Sequence, residues 1–323
     1  MEAHVGPRRS AKRLRTAESS STASGLKVLR ASDLVPTRSL TTGCPLLDEA
    51  LCGGLRTGCV NELVGESNCG KTQLCLQLLL TSQWTSENGG LGCKSLYINT
   101  EGSGGVTATR LREFAEFHAS RGFLGGDAAQ ASLASMDNIF IERCTTDDPH
   151  ALLSVLASAR TLLEHHNVRL VVVDSIANAF KAFSSAGSHH SRLTQVLYST
   201  VALLKKYASD YGACVVLTNH VADHIDRVPA QRAAQAVTET LRTSGKVVRP
   251  SLGASFAQGV TCRFFVSRIS SARLNENRYD TSGCVRELEV VFSPYQSKRK
   301  TKYIINQSGV WGIPEEVYRE GHE

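Results

Sequence analysis

The chain has 323 residues, 41% of them hydrophobic and 20% charged, enough for one large core or two smaller ones at about 150 residues per domain, so wholesale disorder is excluded. No apolar run approaches the roughly 18 residues of a membrane span, and the opening MEAHVGPRRSAKRLR lacks the apolar core of a signal peptide, which predicts a soluble intracellular protein with no membrane partner. The net charge is +6, and residues 1–25 carry five basic against two acidic residues, a net +3, so the remaining sequence is nearly balanced.

That tail, PRRSAKRLRTAESSSTASG, has almost no large apolar side chains and is read as disordered, its basic cluster serving as a nuclear import signal or a phosphate-contacting arm. From about residue 40, apolar runs alternate with glycine and polar turns. CVNELVG (59–65) reads as a strand, KTQLCLQLLLTSQ (71–83) as a helix, KSLYINTE (94–101) as a strand and ATRLREFAEFHASR (108–121) as a helix. NIFIERC (138–144), VRLVVVDS (168–175) and GACVVLTN (212–219) are further strands, separated by helices over 151–166 and about 190–210. Residues 221–258 show no long periodic stretch and read as a functional or mobile segment; three strands then follow at 260–269, 284–294 and 301–310. The pattern predicts an α/β fold: a mostly parallel sheet, helices on both faces, and a C-terminal antiparallel extension. The ten cysteines are spread singly without a C-x-x-C pair, which argues against zinc or a disulfide framework and for small buried apolar residues.

Gly65-Glu66-Ser67-Asn68-Cys69-Gly70-Lys71-Thr72 fits G-x-x-x-x-G-K-[ST] between a predicted strand and helix. In that context backbone N–H groups cradle phosphates, Lys71 reaches the outer phosphates, and the Thr72 hydroxyl ligates Mg²⁺. Asp174 ends the apolar strand LVVVD, where an acid can hold the water shell of Mg²⁺; it can equally cap a helix, but beside a phosphate loop the metal role is the better reading. Glu101, after the strand that follows the first helix, is positioned to polarise an attacking water, which favours hydrolysis over kinase chemistry.

SLTTGCPLLDEALCGGLRTGCVNELVGESNCGKTQLCLQL (39–78), LVVVDS, VVLTN and the late strands resemble the RecA/RadA-type recombinase family over about residues 39–313. GGLGCKSLYINTE, NIFIERC and SGKVVRPSLGASFAQGVTCRFFVSR resemble in particular its DNA-repair paralogues of the X-ray-repair cross-complementing group, plant forms above all. The resemblance implies a RecA-like ATPase core over 42–313, preceded by a tail (1–26) and a linker (27–41) and followed by a short tail (314–323). It further implies a nuclear mediator of homologous recombination that uses ATP and Mg²⁺. Such a mediator engages single-stranded DNA or recombination intermediates, pairs with the C-type recombinase paralogue and supports the main recombinase filament. Carried onto this sequence, Gly65 to Gln73 bind phosphates, Glu101 activates water, Arg110 covers the adenine and Asp174 serves Mg²⁺.

One departure is chemical. His220 follows VVLTN where recombinases carry a γ-phosphate-sensing Gln, which points to ATP binding with weak or partner-dependent hydrolysis. The two segments matching the recombinases' DNA-facing loops, about 181–192 and 221–258, offer Lys181, Arg192, Arg242 and Lys246, with Arg227, Arg232 and Arg249, as phosphate contacts. Two rivals stand beside the mediator reading: an adaptor whose nucleotide only rigidifies an interface, and an active strand-exchange recombinase.

Overall fold

The computed structural model describes residues 30–31, 36–102, 104–121, 128–144, 148–181, 190–223, 241–243, 245–269 and 284–316. The tail at 1–26, most of the first DNA-facing segment, and Arg227 and Arg232 lie outside them. Pro36–Glu323 forms one compact unit.

The chain enters it through a two-residue strand, β1 (Ser39–Leu40), antiparallel to β2 (Leu55–Arg56), with helix α1 (Pro45–Ala50) between them. The end of the stretch expected as linker is thus paired structure. Thr42 explains why: its backbone N–H and hydroxyl donate to one oxygen of Asp48, at 2.7 and 2.8 Å, and the Thr41 hydroxyl donates to the other.

Seven elements then alternate much as the sequence predicts: β3 (Cys59–Gly65), α2 (Lys71–Thr81), β4 (Lys94–Asn99), α3 (Gly104–Ser120), a small helix α4 (Ala128–Asp137), β5 (Ile139–Arg143) and α5 (Pro149–His165). The helix α4 is absent from the sequence reading because its alanines and serines give little apolar contrast between faces. In α5, Pro149 occupies the first turn and the Asp148 carboxylate accepts the His150 N–H at 2.9 Å, while Leu152, Leu156, Ala159 and Leu163 form the buried stripe. After β6 (Val168–Asp174) come a one-turn helix α6 (Ile176–Ala179), the long α7 (His190–Tyr211) and β7 (Cys214–Asn219).

Within 221–258, where no regular structure was expected, β8 (Val221–Asp223), β9 (Leu241–Thr243) and β10 (Lys246–Pro250) make a three-stranded sheet, followed by α8 (Gly253–Ala257). Strands this short carry no periodic signal; Leu241 and Val248 hold the small sheet against Val64 and Phe265 of the main one. Among the described residues the C-terminal part holds four strands rather than three: β11 (Cys262–Arg268), β12 (Arg286–Phe292), β13 (Lys300–Asn306) and β14 (Gly309–Ile313). The run expected as one strand over 301–310 is broken at Gln307–Ser308, where the Asn306 side chain accepts the N–H groups of Ser308 and Gly309 and closes a turn.

The main sheet has the order β14-β13-β12-β11-β3-β7-β6-β4-β5. Strands β11 to β5 pair in parallel and β11 to β14 antiparallel. Alternate strand residues bury opposite faces: Leu63, Tyr97, Val172 and Val216 pack with α2 and α3, while Val60, Ile98, Val173 and Leu217 pack with α5 and α7. Eight of the ten cysteines are buried, Cys284 is half-buried and Cys52 exposed. Among the described residues no helix is long and apolar enough to cross a membrane.

One core residue makes the fold sensitive to pH. His118 on α3 is 1% exposed, its ring lies 5.4 Å from Trp84 and 5.9 Å from Phe117, and among the described residues neither ring nitrogen has a hydrogen-bond partner. Burial, with Arg121 adding to it, pushes its pKa down to about 4 from 6.5. The unfolded chain therefore takes up the proton first as pH falls, and stability is lost between about 6.5 and 4, by roughly 3 kcal/mol. Urea midpoints at pH 7.5 and 5 should fall more for the native chain than for His118→Leu; equal losses would contradict this assignment.

Candidate functional site

The C-terminal ends of β3, β7, β6 and β4 lie side by side, since Val64 pairs with Asn219, Val173 with Leu217 and Asn99 with Asp174. This gathers Gly65, His220, Asp174 and Glu101 from four separate sequence segments at one edge of the sheet. Between them lies a cavity of about 540 Å³ lined by Ser67, Asn68, Gly70, Lys71, Thr72, Gln73, Glu101, Asp174, His220, Arg286 and Ile305. A second opening of about 600 Å³ adjoins it, sharing Ser67, Glu101 and His220 and bounded by Asn178 and Lys181.

The loop from Gly65 to Gly70 is shaped by what surrounds it. A Cβ on Gly65 would sit 2.2 Å from the Val266 carbonyl oxygen, and one on Gly70, at φ +99°, would sit 2.4 Å from Ile305 Cδ1. The Tyr303 hydroxyl donates to the Cys69 carbonyl at 2.7 Å, and the Lys71 ammonium donates to the carbonyls of Gly65 and Glu66 at 2.8 Å each. Cys69 itself is buried, and that burial pushes its thiol pKa up.

Asp174 is the most heavily bonded acid of the site. One carboxylate oxygen accepts the hydroxyls of Thr72 (2.7 Å) and Tyr97 (2.9 Å), and the other accepts that of Thr218. Burial and the neighbouring carboxylate push the Tyr97 phenol far above its usual range, so it stays a donor. Glu101 Oε1 accepts from Ser175 Oγ and pairs with His220 Nε2, both at 3.1 Å, and His220 and Ser175 lie 3.3 Å apart. The His220 hydrogen bond, with that of Ser175, outweighs burial and holds the Glu101 carboxyl below its usual pKa, so it is ionised at neutral pH.

The remaining predicted residues fall in different places. Arg110 does not line the cavity: its guanidinium donates to Gln73 Oε1 (2.8 Å) and to the carbonyls of Asn306 and Gln307, pairs with Glu113, and stacks 4.2 Å over Phe114. It thereby braces α3 against α2 and the β13–β14 turn. Lys181 borders the second opening, and Arg192 is exposed on the first turns of α7. Arg242, Lys246 and Arg249 are exposed on the small sheet, where Arg242 opposite Val247 and Arg249 opposite Ala222 share one face. That sheet is tied to the site, as the Thr243 hydroxyl donates to the Glu66 carboxylate at 3.0 Å. Its far end is bonded too: the Ser251 N–H reaches the His220 carbonyl at 2.9 Å, and the Ser251 hydroxyl reaches Asn219 Oδ1 at 2.8 Å.

Arg286 and Ile305 are cavity residues that sequence reasoning missed. Both come from the late strands, with no motif marking them. A separate opening of about 550 Å³ between α1 and β13–β14 is lined by Arg299, Lys300 and Lys302, but there Lys300 is paired with Glu287 and Glu289 at 3.0 Å.

With this geometry in place, a family profile described as Rad51 matches residues 35–312. The chain belongs to the Rad51 family. It is 30% identical to the DNA repair protein XRCC3 homolog of Arabidopsis thaliana, over 85% of this chain and 93% of that protein. It is 31% identical to the mouse DNA repair protein XRCC3 over 85% of this chain and 75% of that one. The human DNA repair protein RAD51 homolog 2 is 28% identical over 90% of this chain and 72% of its own. This Rad51-family core has the RecA-like architecture expected from the sequence: a mostly parallel sheet with an antiparallel C-terminal extension.

Gly70→Ala combines left-handed backbone strain with overlap on Ile305 and is expected to lower the unfolding free energy by about 1–2 kcal/mol or more. An unchanged urea midpoint would show that the loop is not held as described.

Proposed function

We propose that the chain is an ATP- and Mg²⁺-binding accessory factor of homologous recombination and double-strand break repair. It acts in the nucleus, in a complex with another recombinase paralogue of the C type, and stabilises the main recombinase filament on single-stranded DNA or recombination intermediates. The observation that carries the nucleotide reading is the 2.7 Å bond between the Thr72 hydroxyl and the Asp174 carboxylate at the mouth of a glycine-shaped loop. A hydroxyl and a carboxylate in contact at the start of α2, with Lys71 beside them, suit a hard divalent cation next to a polyphosphate. Mg²⁺, when bound, would supply charge neutralisation at the phosphate tail.

The chain's own residues divide the work. Backbone N–H groups from Ser67 to Thr72 and the Lys71 ammonium bind phosphate oxygens. Thr72 and Asp174 would hold the cation. Glu101, ionised and fixed through Oε1, keeps Oε2 to accept a proton from a water. His220 contacts that same carboxylate instead of presenting a neutral amide, which ties down the water-activating group and supports slow turnover. Arg242 and Arg249, with Lys246, Lys181 and Arg192, contribute sequence-independent, salt-sensitive phosphate contacts, too few for a strong grip by the isolated chain. The His220–Glu101 contact also favours the adaptor as second reading, in which nucleotide stabilises a subunit interface without being hydrolysed.

Lys71→Ala is expected to keep its melting temperature and lose ATP binding by equilibrium titration; unchanged affinity would remove the nucleotide assignment. In cells lacking the protein, full rescue of DNA repair by Glu101→Gln, which keeps the phosphate loop but removes the water-activating carboxylate, would favour the adaptor, and failed rescue a mediator that needs ATP turnover. His220→Gln is expected to raise ATP turnover severalfold in the partner complex, whereas an unchanged rate would show that His220 does not restrain Glu101.

A further inference from the structure

The cavity at the phosphate loop holds one cation that the motif does not account for. Arg286 lies on β12, opposite Tyr303 on β13, whose hydroxyl fixes the Cys69 carbonyl of the loop. Its Cδ lies 3.6 Å from where a Cβ on Gly70 would stand, so its stem runs along the glycine that opens α2. Among the described residues the guanidinium makes one hydrogen bond, from Nη1 to the Cys284 carbonyl at 2.7 Å. Its Nε is buried without a partner, and no carboxylate pairs with it among the described residues.

Arg263 shows what a buried, paired arginine looks like here. Arg263, 3% exposed, donates from Nε to Glu62 Oε2 at 2.7 Å, and Glu62 Oε1 accepts from Asn219 at 2.7 Å. A half-buried guanidinium facing a cavity, with an unsatisfied donor and no acid, is costly unless an anion completes it. In this cavity Asp174 is engaged by three hydroxyls and Glu101 by His220 and Ser175, so neither acid is directed at Arg286.

We propose that Arg286 binds the phosphate tail of the nucleotide from the side of the late strands, as a second cation opposite Lys71. The inference rests on the nucleotide reading above and adds to it a residue far from the motif in sequence. A guanidinium presents a planar fork of donors that suits two phosphate oxygens at once, which the Lys71 ammonium cannot do. It also makes the site depend on the antiparallel extension, since β12 carries Arg286 and β13 carries Tyr303 and Ile305, all touching the loop.

The test titrates ATP and, separately, inorganic tripolyphosphate, both with Mg²⁺, into the full chain and into Arg286→Gln and Arg286→Met, the latter keeping an apolar stem beside Gly70. A phosphate contact predicts about tenfold or greater weakening of both ligands in both variants. The melting temperature without ligand should stay near that of the native chain. Native-like affinity in either folded variant would overturn the proposal. So would a loss confined to ATP while tripolyphosphate binds as before, because that would place the contact on the nucleoside. If the native chain binds neither ligand, the nucleotide reading itself fails, a result distinct from a native chain that binds and variants that bind equally well.

Discussion

The site depends on a buried carboxylate held by three hydroxyls from three different elements. Asp174 at the end of β6 receives Thr72 from α2, Tyr97 from β4 and Thr218 from β7. An acid that is 3% exposed is tolerated only when its oxygens are satisfied, and here that requirement also fixes the phosphate loop, through Thr72, against the centre of the sheet. The sheet order serves the same end. With β7 inserted between β3 and β6, the loop after β3 and the acid after β6 face each other across one strand, which contributes both a bonding hydroxyl and His220.

A second polar layer lies beneath it. Arg263, Glu62, Asn219 and Ser251 form a chain of side-chain hydrogen bonds from β11 through β3 and β7 to the segment just after β10. The Ser251 N–H also holds the His220 carbonyl, and Thr243 holds Glu66 in the phosphate loop. The small sheet bearing Arg242 and Arg249 is therefore bonded at one end to the loop and at the other to the strand carrying His220. Thr243, next to Arg242, and Ser251, two residues after Arg249, thus connect this face to Glu66 and to His220.

The legible part of this architecture was the part written in local pattern. Gly65 to Thr72 is a contiguous motif, and the four apolar residues before Asp174 announce a buried strand end, so both halves of the site follow from neighbouring letters. The large helices follow from their apolar stripes, as in α5. What escaped notice is set by distant contacts. The strands β1 and β8 to β10 are two to five residues long and exist because they pair or pack on the main sheet; α4 has too little apolar contrast to register. Arg110 could be placed on a helix but not pointed, and its bonds to Gln73 and to the Asn306 and Gln307 carbonyls come from the tertiary fold. Arg286 had no motif at all; only the pairing of β12 with β13 brings it beside Gly70.

The most direct measurement of the central claim is a calorimetric titration of ATP into the purified chain, with Mg²⁺ and again with a chelator. A carboxylate and hydroxyl pre-set for a divalent cation predict saturable binding that weakens about tenfold or more when Mg²⁺ is removed. Absence of binding, or affinity indifferent to Mg²⁺, would contradict the account.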